Sequence, residues 1–574
     1  MELRSRRWFD RQGELGLQHR SVLRTLGMNP ELFRGKPVIG IANTWSELNN
    51  CNLGLRALAA AVKRGVMAAG GVPLEFNSIS LGEELMKPTA MLYRNLLAME
   101  VEETLRSYPI DGVVLLGGCD KTIPAQLMAA ASANIPAIQV CAGPKIPGCW
   151  RGHRLGSGVA LWEYMDKYRL GEVDGSSAEE LEARYSASVG TCNTMGTAST
   201  MAVLAEALGM MLPGTSTIPA VDSRRLAAAE KSGFAIVNLV QRQIKPSDIM
   251  TRDAFENALI VYSAIGGSTN AVIHLLAMAG RLGIDLQLAD FDRVARMVPM
   301  LVDVEPSGEK LMDDFDAAGG VPALMRELQH MLSLGCLTVT GETLGKNLES
   351  APEPQGDTIR SLASAPYADG SIAVLHGNLV PRGAILRTST ASPDLLRHSG
   401  PALVFESYED MLQRIDDPDL PVTPSSVLVL RNAGPVGGPG MPEWGAIPIP
   451  RKMLSRGIKD MLRISDARMS GTSSGTIVLH ACPEAAVGGP LGLLRDGDMV
   501  EIDVASRKLS VLLDEEEMDH RRQEWRPPPR KHVRGYPLLY MEHVLQADEG
   551  CDFDFLRLVP GEDLGLVEPV VGRS

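Results

Sequence analysis

Aromatic residues are scarce in this chain: Phe, Trp and Tyr make up 5 % of its 574 positions. A core with so few rings must be filled by aliphatic side chains and by the 27 methionines, a mixture that suits helices. Cysteine is sparse as well. Eight thiols (Cys51, Cys119, Cys141, Cys149, Cys192, Cys336, Cys482 and Cys551) are too thinly spread for a disulfide scaffold, and they fit a reduced, cytoplasmic setting. No apolar run approaches the ~20 residues that a membrane-spanning helix needs. The start, Met1-Glu2-Leu3-Arg4-Ser5-Arg6-Arg7-Trp8, is basic but has no apolar stretch behind it, so it does not read as a secretory signal. Glu2, Asp10 and Glu14 argue against a transit peptide. Positive charge is also in deficit. A net charge of -14 argues against a nucleic-acid partner and favours solubility. What remains is an ordinary soluble composition, 45 % hydrophobic and 22 % charged, in a chain too long for one core.

The first half alternates strand and helix signals. Residues 37–42 read as a first strand and 55–69 as a helix. Residues 113–116 read as a strand, 125–131 as a helix and 135–140 as another strand. Repeated βαβ units imply a doubly wound α/β/α domain with a mainly parallel sheet. Residues 198–211 and 270–282 read as helices apolar almost all round, and therefore buried. Near Glu349-Ser350-Ala351-Pro352-Glu353-Pro354-Gln355-Gly356-Asp357 the chain turns polar and proline-rich, which sets a domain boundary between 355 and 356. Beyond it, residues 372–375, 402–405 and 426–430 read as strands with few helices between them. Residues 499–504 and 508–513 flank Ala505-Ser506-Arg507 as a hairpin. Residues 356–574 are expected to form a β-rich, barrel-like second domain.

Chemistry concentrates at Cys119-Asp120-Lys121, which follows the apolar run 113–116 through Gly117-Gly118. A buried strand ending in a glycine turn delivers the next residues to the carboxyl edge of a sheet, where α/β proteins build their sites. Thiolate suits iron or zinc and carboxylate suits magnesium or manganese, so neighbouring ligands of opposite softness suggest two different metals. A strand-end turn with a buried cysteine and a surface ion pair is the alternative. Cys51 in Asn49-Asn50-Cys51-Asn52 and Cys192 in Gly190-Thr191-Cys192-Asn193 share the small and polar surroundings of Cys119, as a thiolate accepting N–H bonds would need. Cys141, at another strand end, is a candidate fourth ligand, with packing the favoured reading. Glu83 and Glu84 after Gly82, Asp120, and Glu443 at the end of the loop Gly434-Pro435-Val436-Gly437-Gly438-Pro439-Gly440-Met441-Pro442-Glu443 are hard oxygen donors suited to magnesium. That loop could instead cradle phosphate, but no Walker lysine follows. Residues 471–475 match the G-x-S-x-G elbow with Ser473 central, yet a polar stretch precedes them where a hydrolase needs a strand. A serine beside glycine can act as a base if cations lower its pKa, or can simply cap a turn.

Five segments together resemble the iron–sulfur dehydratase family of dihydroxy-acid, phosphogluconate and sugar-acid dehydratases. They are Gly118-Cys119-Asp120-Lys121-Thr122, Cys192-Asn193-Thr194-Met195-Gly196-Thr197-Ala198, Ala264-Ile265-Gly266-Gly267-Ser268-Thr269-Asn270, Gly438-Pro439-Gly440-Met441-Pro442-Glu443 and Asp466-Ala467-Arg468-Met469-Ser470-Gly471. The resemblance spans nearly the whole chain. It implies Cys51, Cys119 and Cys192 as ligands of a 2Fe-2S cluster. It implies Glu83, Asp120 and Glu443 as ligands of Mg2+, Lys121 as a carbamylated lysine on the magnesium side, and Ser470 as the alkoxide base. It also implies a homodimer or homotetramer. The expected reaction is loss of water from a 2,3-dihydroxy acid, giving a 2-keto-3-deoxy acid. Within the family, Pro88-Thr89-Ala90 and the start Arg4-Ser5-Arg6-Arg7-Trp8-Phe9 look more like pentonate dehydratases, arabinonate-type above xylonate-type, although the match around residues 81–85 is imperfect. A dihydroxy-acid dehydratase of branched-chain amino-acid synthesis, a member acting on several acids, and a non-catalytic iron–sulfur sensor are the alternatives.

Overall fold

The computed structural model describes residues 3–365, 370–559, 561, 562, 564 and 566–572. Its N-terminal half is organised by four parallel strands, β1 (Val38–Asn43), β2 (Val72–Asn77), β3 (Gly112–Gly117) and β4 (Ala137–Cys141), in the order β2-β1-β3-β4. β1, β3 and β4 are buried along their whole length, which is why they read as continuous apolar runs. β2 is an edge strand, with Pro73 in it and Glu75 and Asn77 turned to solvent. The proline and the mixed pattern hid it in the sequence.

Helices cover both faces. A Cβ on Gly112 would meet Val240 and Ile236 of the helix Ser223–Arg242, whereas one on Gly117 would meet Gln126 and Thr122 of the helix Thr122–Ala133. The two positions are five residues apart on one strand and so point to opposite faces. The doubly wound expectation is met. The helices Thr197–Ala207 and Asn270–Arg281 are buried at every position, as their all-round apolarity implies. The first stops four residues short of its expected end, because Gly209 turns left-handed at φ 83°. A short antiparallel pair, β5 (Gly148–Trp150) and β6 (His153–Leu155), lies outside the main sheet.

The C-terminal half closes into an eight-stranded barrel. Its strands are β7 (Ile372–Gly377), β8 (Val380–Arg387), β9 (Arg397–Phe405), β10 (Val427–Leu430), β11 (Arg463–Ser465), β12 (Ile477–Cys482), β13 (Met499–Asp503) and β14 (Lys508–Val511), in the order β10-β11-β12-β8-β7-β14-β13-β9. β13 and β14 form the expected antiparallel hairpin. Alternation along β10 sorts the side chains. Val427 and Val429 join the cluster that fills the barrel with Leu386, Val404, Ile464 and Val478, while Leu428 and Leu430 pack in a second cluster with Leu403 and Phe405. Among the described residues no helix is long and apolar enough to cross a membrane.

Candidate active site

The chain leaves β1 toward β2 but leaves β3 toward β4, so a crevice opens between the carboxyl ends of the adjacent strands β1 and β3. Cys51 sits beyond β1 on the turn Asn50–Asn52, its amide donating to the Asn49 side chain at 3.2 Å. Cys119 sits beyond β3 with a left-handed backbone, φ 66°. That conformation is rare for a residue with a Cβ and clusters at functional sites. Gly118 lets the two turns meet, since a Cβ there would lie 2.8 Å from Asn52 Oδ1 and 3.1 Å from the Cys51 carbonyl oxygen. The Cys51 and Cys119 thiols are near enough to act on each other electrostatically. Cys192 arrives from the loop before Thr197–Ala207, its carbonyl accepting the Ser199 hydroxyl at 3.1 Å. Contact with Cys119 raises the Cys51 pKa, and burial, Cys192 and Glu84 add to the effect. Burial, Asp120 and Glu84 push Cys192 up to about 12, against the pull of Lys145. Without a metal, both thiols therefore keep their protons.

The acids gather beside them. Glu83, Asp120 and Glu443 present oxygens that all lie within 4.8 Å of one another. Glu83 follows β2, Asp120 follows β3, and Glu443 comes from the barrel domain at the turn Glu443–Gly445. Lys121, whose side chain is fully buried, puts Nζ 3.1 Å from Glu83 Oε2, 3.1 Å from Asp120 Oδ2 and 2.9 Å from Glu443 Oε1. The sequence offered a single salt bridge to Asp120; the fold makes it three. Burial and Arg468 pull the Lys121 pKa down, but the three carboxylates outweigh them and the net shift is upward. Burial, with repulsion from Glu443 and Glu83, holds Asp120 up at about 6 despite Lys121. For Glu443 burial works upward, yet Lys121 and Arg468 bring it down to about 2.

Several residues to which the sequence assigned no role complete the pocket. Arg468 is fully buried and donates three ways: Nε to the Met441 carbonyl at 2.7 Å, one terminal nitrogen to Glu443 Oε1 at 2.9 Å and the other to Thr89 Oγ1 at 2.9 Å. Thr89 in turn donates to Glu83 Oε1 at 2.7 Å. Asn270 donates to Glu443 Oε1 and Thr197 Oγ1, each at 2.9 Å, and to the Met469 carbonyl at 3.1 Å. Asn270 and Arg468 lie inside two of the five family-like segments, and for Arg468 the usable signal was a charged side chain between Ala467 and Met469. Ser470 lies in the same barrel loop, its Oγ 2.9 Å from Thr472 Oγ1, which also receives the Trp162 indole N–H at 3.1 Å. Buried Arg387 steadies the loop by donating to the Gly471 carbonyl at 2.8 Å.

Other sequence candidates separate from this group. The G-x-S-x-G stretch is a loop between β11 and β12 with a strand after it, not a helix, so it is no hydrolase elbow. Cys141 faces the Thr215 and Ser216 carbonyls and a guanidinium nitrogen of Arg225, a packing role. All eight cysteines are free.

An ammonium buried among three carboxylates serves neither packing nor solubility, and such electrostatically loaded clusters are characteristic of catalysts. Comparison with known proteins names the kind. The chain belongs to the dihydroxy-acid/6-phosphogluconate dehydratase family, whose N-terminal model matches residues 36–347 and whose C-terminal model matches residues 357–551. It is 51 % identical over 559 residues to the 6-deoxy-6-sulfo-D-gluconate dehydratase of Pseudomonas putida, covering 97 % of this chain and 96 % of that one. It is 49 % identical over 566 residues to the L-arabinonate dehydratase of Rhizobium leguminosarum bv. trifolii, covering 98 % of each. With the dihydroxy-acid dehydratase of Acidothermus cellulolyticus identity is 42 % over 542 residues, covering 93 % of this chain and 95 % of that one.

Proposed function

We propose that this chain is an iron–sulfur and magnesium dependent hydro-lyase that dehydrates a sugar acid, a pentonate such as L-arabinonate, to a 2-keto-3-deoxy acid. The observation that carries the reading is the closure of Glu83, Asp120 and Glu443 around Lys121, with Asn270 tying Glu443 to the carbonyl next to Ser470. The donors fit the two groups. The soft thiols of Cys51, Cys119 and Cys192 suit a 2Fe-2S cluster, and the hard oxygens of Glu83, Asp120 and Glu443 suit Mg2+. Lys121 joins the magnesium side as a carbamate. An ammonium carries one positive charge, and so do a carbamate and Mg2+ together, so exchanging one for the other leaves the charge of a buried pocket unchanged. When bound, iron would supply a Lewis acid to the departing C3 hydroxyl while magnesium would hold the substrate carboxylate and C2 hydroxyl.

Ser470 is the base that takes the C2 proton. The Thr472 hydroxyl accepts from Trp162 and has one proton it can donate to Ser470 Oγ at 2.9 Å, and the Thr472 amide approaches the same oxygen at 3.4 Å. Donors aimed at that oxygen favour its alkoxide. The enol formed by loss of water then becomes the keto acid. The same reading assigns the cluster cysteines Cys51, Cys119 and Cys192 to a domain of residues 1–355 and Glu443 and Ser470 to a domain of residues 356–574, in a cytoplasmic homodimer or homotetramer. A dihydroxy-acid dehydratase is the second reading, supported by the 42 % identity to a protein of that name.

The test is an anaerobic assay of reconstituted protein for keto-acid formation from arabinonate, xylonate, gluconate, galactonate, glycerate and 2,3-dihydroxyisovalerate. Fastest turnover of arabinonate is expected. Preference for 2,3-dihydroxyisovalerate moves the assignment to the second reading, and an intact cluster with no turnover of any acid leaves a sensor.

A further inference from the structure

The glycine-rich stretch 434–443 carries Glu443 to the pocket, yet it belongs to no helix or strand before the turn Glu443–Gly445. Two carboxylates outside the acid set hold it from behind. Asp466 Oδ1 accepts the Ala433 N–H at 3.0 Å, and Oδ2 accepts those of Asn432 at 3.2 Å and Ala485 at 3.0 Å. Glu484 Oε1 accepts the Val436 N–H at 2.9 Å and the Gln546 side-chain amide at 2.8 Å, and Oε2 accepts the Gly437 N–H at 2.8 Å. Both carboxylates are 1 % exposed, and the groups that hold their charge are N–H donors with no cation among them. The stretch is fitted to Glu484. A Cβ on Gly434 would lie 2.6 Å from the Glu484 Cβ. The Val436 and Gly437 amides of the stretch are thereby taken up by Glu484.

The loop needs holding. Asn432, Gly440 and Met441 all have left-handed backbones, at φ 59°, 86° and 52°, an arrangement that persists only where the surroundings impose it. Arg468 grips the Met441 carbonyl from the pocket side at 2.7 Å, so the loop is held at both ends of its glycine run.

We infer that Asp466 and Glu484 are positioning residues that set the magnesium affinity of the site, by holding residues 432–443 in the one shape that brings Glu443 to Glu83 and Asp120. The inference rests on the proposed magnesium role of that acid set. Carboxylates are required because both oxygens face N–H donors. An amide would turn its own NH2 against one of those donors, so Glu484→Gln and Asp466→Asn are near-isosteric changes that specifically spoil the anchor.

The experiment measures Mn2+ binding by EPR on cluster-loaded protein at pH 8. Wild type is expected to bind Mn2+ and Glu443→Ala to lose that site. Glu484→Gln and Asp466→Asn are expected to bind Mn2+ about ten-fold more weakly, the loss of one hydrogen bond to a charged group, with an unchanged cluster absorption spectrum. A purely structural role would instead disturb the cluster spectrum along with the affinity. Wild-type Mn2+ affinity in both amide variants, while Glu443→Ala has lost it, overturns the anchoring role and leaves the magnesium reading standing. No Mn2+ site in wild type, or an unchanged one in Glu443→Ala, overturns the magnesium reading and this inference with it. Where the amide variants do not fold, Gln546→Ala decides, since Gln546 is only partly buried and donates to Glu484 alone from outside the loop. A measurable weakening supports the anchor, and unchanged affinity overturns it.

Discussion

At the scale of single residues, Arg468 shows what a buried guanidinium does that an ammonium cannot. Its three directed bonds, to Met441, Glu443 and Thr89, fix both the loop and two of the acids. Lysine supplies a point charge without the planar fork. Arg468→Lys should lower kcat by about 100-fold, roughly the loss of two charge-assisted hydrogen bonds, with the cluster spectrum unchanged. Ser470→Ala should abolish turnover in single-turnover assays and leave the same spectrum intact; residual turnover would remove Ser470 as the base. Titration gives a third expectation. Burial and the neighbouring charge of Asp466 push Glu484 from its ordinary 4.5 up to about 7. Between those values the native chain holds a proton that the unfolded chain has released, so this contribution to stability is fully present below pH 4.5 and is lost as pH rises through 7. The urea midpoint should therefore fall across that window, and Glu484→Gln should flatten the fall. Legibility at this scale was uneven. Cys119, Asp120 and Lys121 announced themselves by adjacency after a strand, whereas Asp466 and Glu484 look like any acid near a turn, because the amides they satisfy lie 19 to 62 residues away in the chain.

At the scale of elements, the approach of two turns decides whether Cys51 and Cys119 can share a ligand. β1 and β3 are neighbours in the sheet although β2 intervenes in the chain, and Gly118 removes the Cβ that would strike Asn52 and the Cys51 carbonyl. Gly118→Ala should shift one turn by several tenths of an ångström, cost about 1–3 kcal/mol by overpacking, and reduce the cluster absorbance per chain after reconstitution. The elements themselves were well marked where burial was complete: β1, β3, β4 and the all-apolar helices were visible as runs. The edge strand β2 and the three-residue β11 were not, since a half-exposed strand with a proline and a strand of three residues leave no periodic signal.

At the scale of the whole molecule, the C-terminal segment locks onto the N-terminal domain through a buried ion pair and buried hydrogen bonds to its backbone. Arg281 and Asp552 are buried and joined by two bonds, at 2.5 and 3.0 Å, and Arg94 donates to the Gly550 and Cys551 carbonyls. Asp552→Ala leaves the Arg281 guanidinium with the Glu102 carboxylate at 3.2 Å and the Ser132 hydroxyl at 2.9 Å. Stability measured by urea unfolding should drop by about 3 kcal/mol, the usual result of removing one member of a buried pair.

The sequence by itself determined the classes of the two halves, the residue types of the site and their order along the chain, because burial periodicity and short motifs are local properties. Tertiary structure brought Glu443, from one domain, to Glu83 and Asp120 from the other, the grouping that the family resemblance implied. It also decided that Lys121 meets three carboxylates rather than one, and that Arg468, Asn270, Asp466 and Glu484 hold the arrangement in place. Those relations depend on distances between residues tens to hundreds of positions apart, which strand order, barrel closure and backbone hydrogen bonding set and which no local pattern encodes.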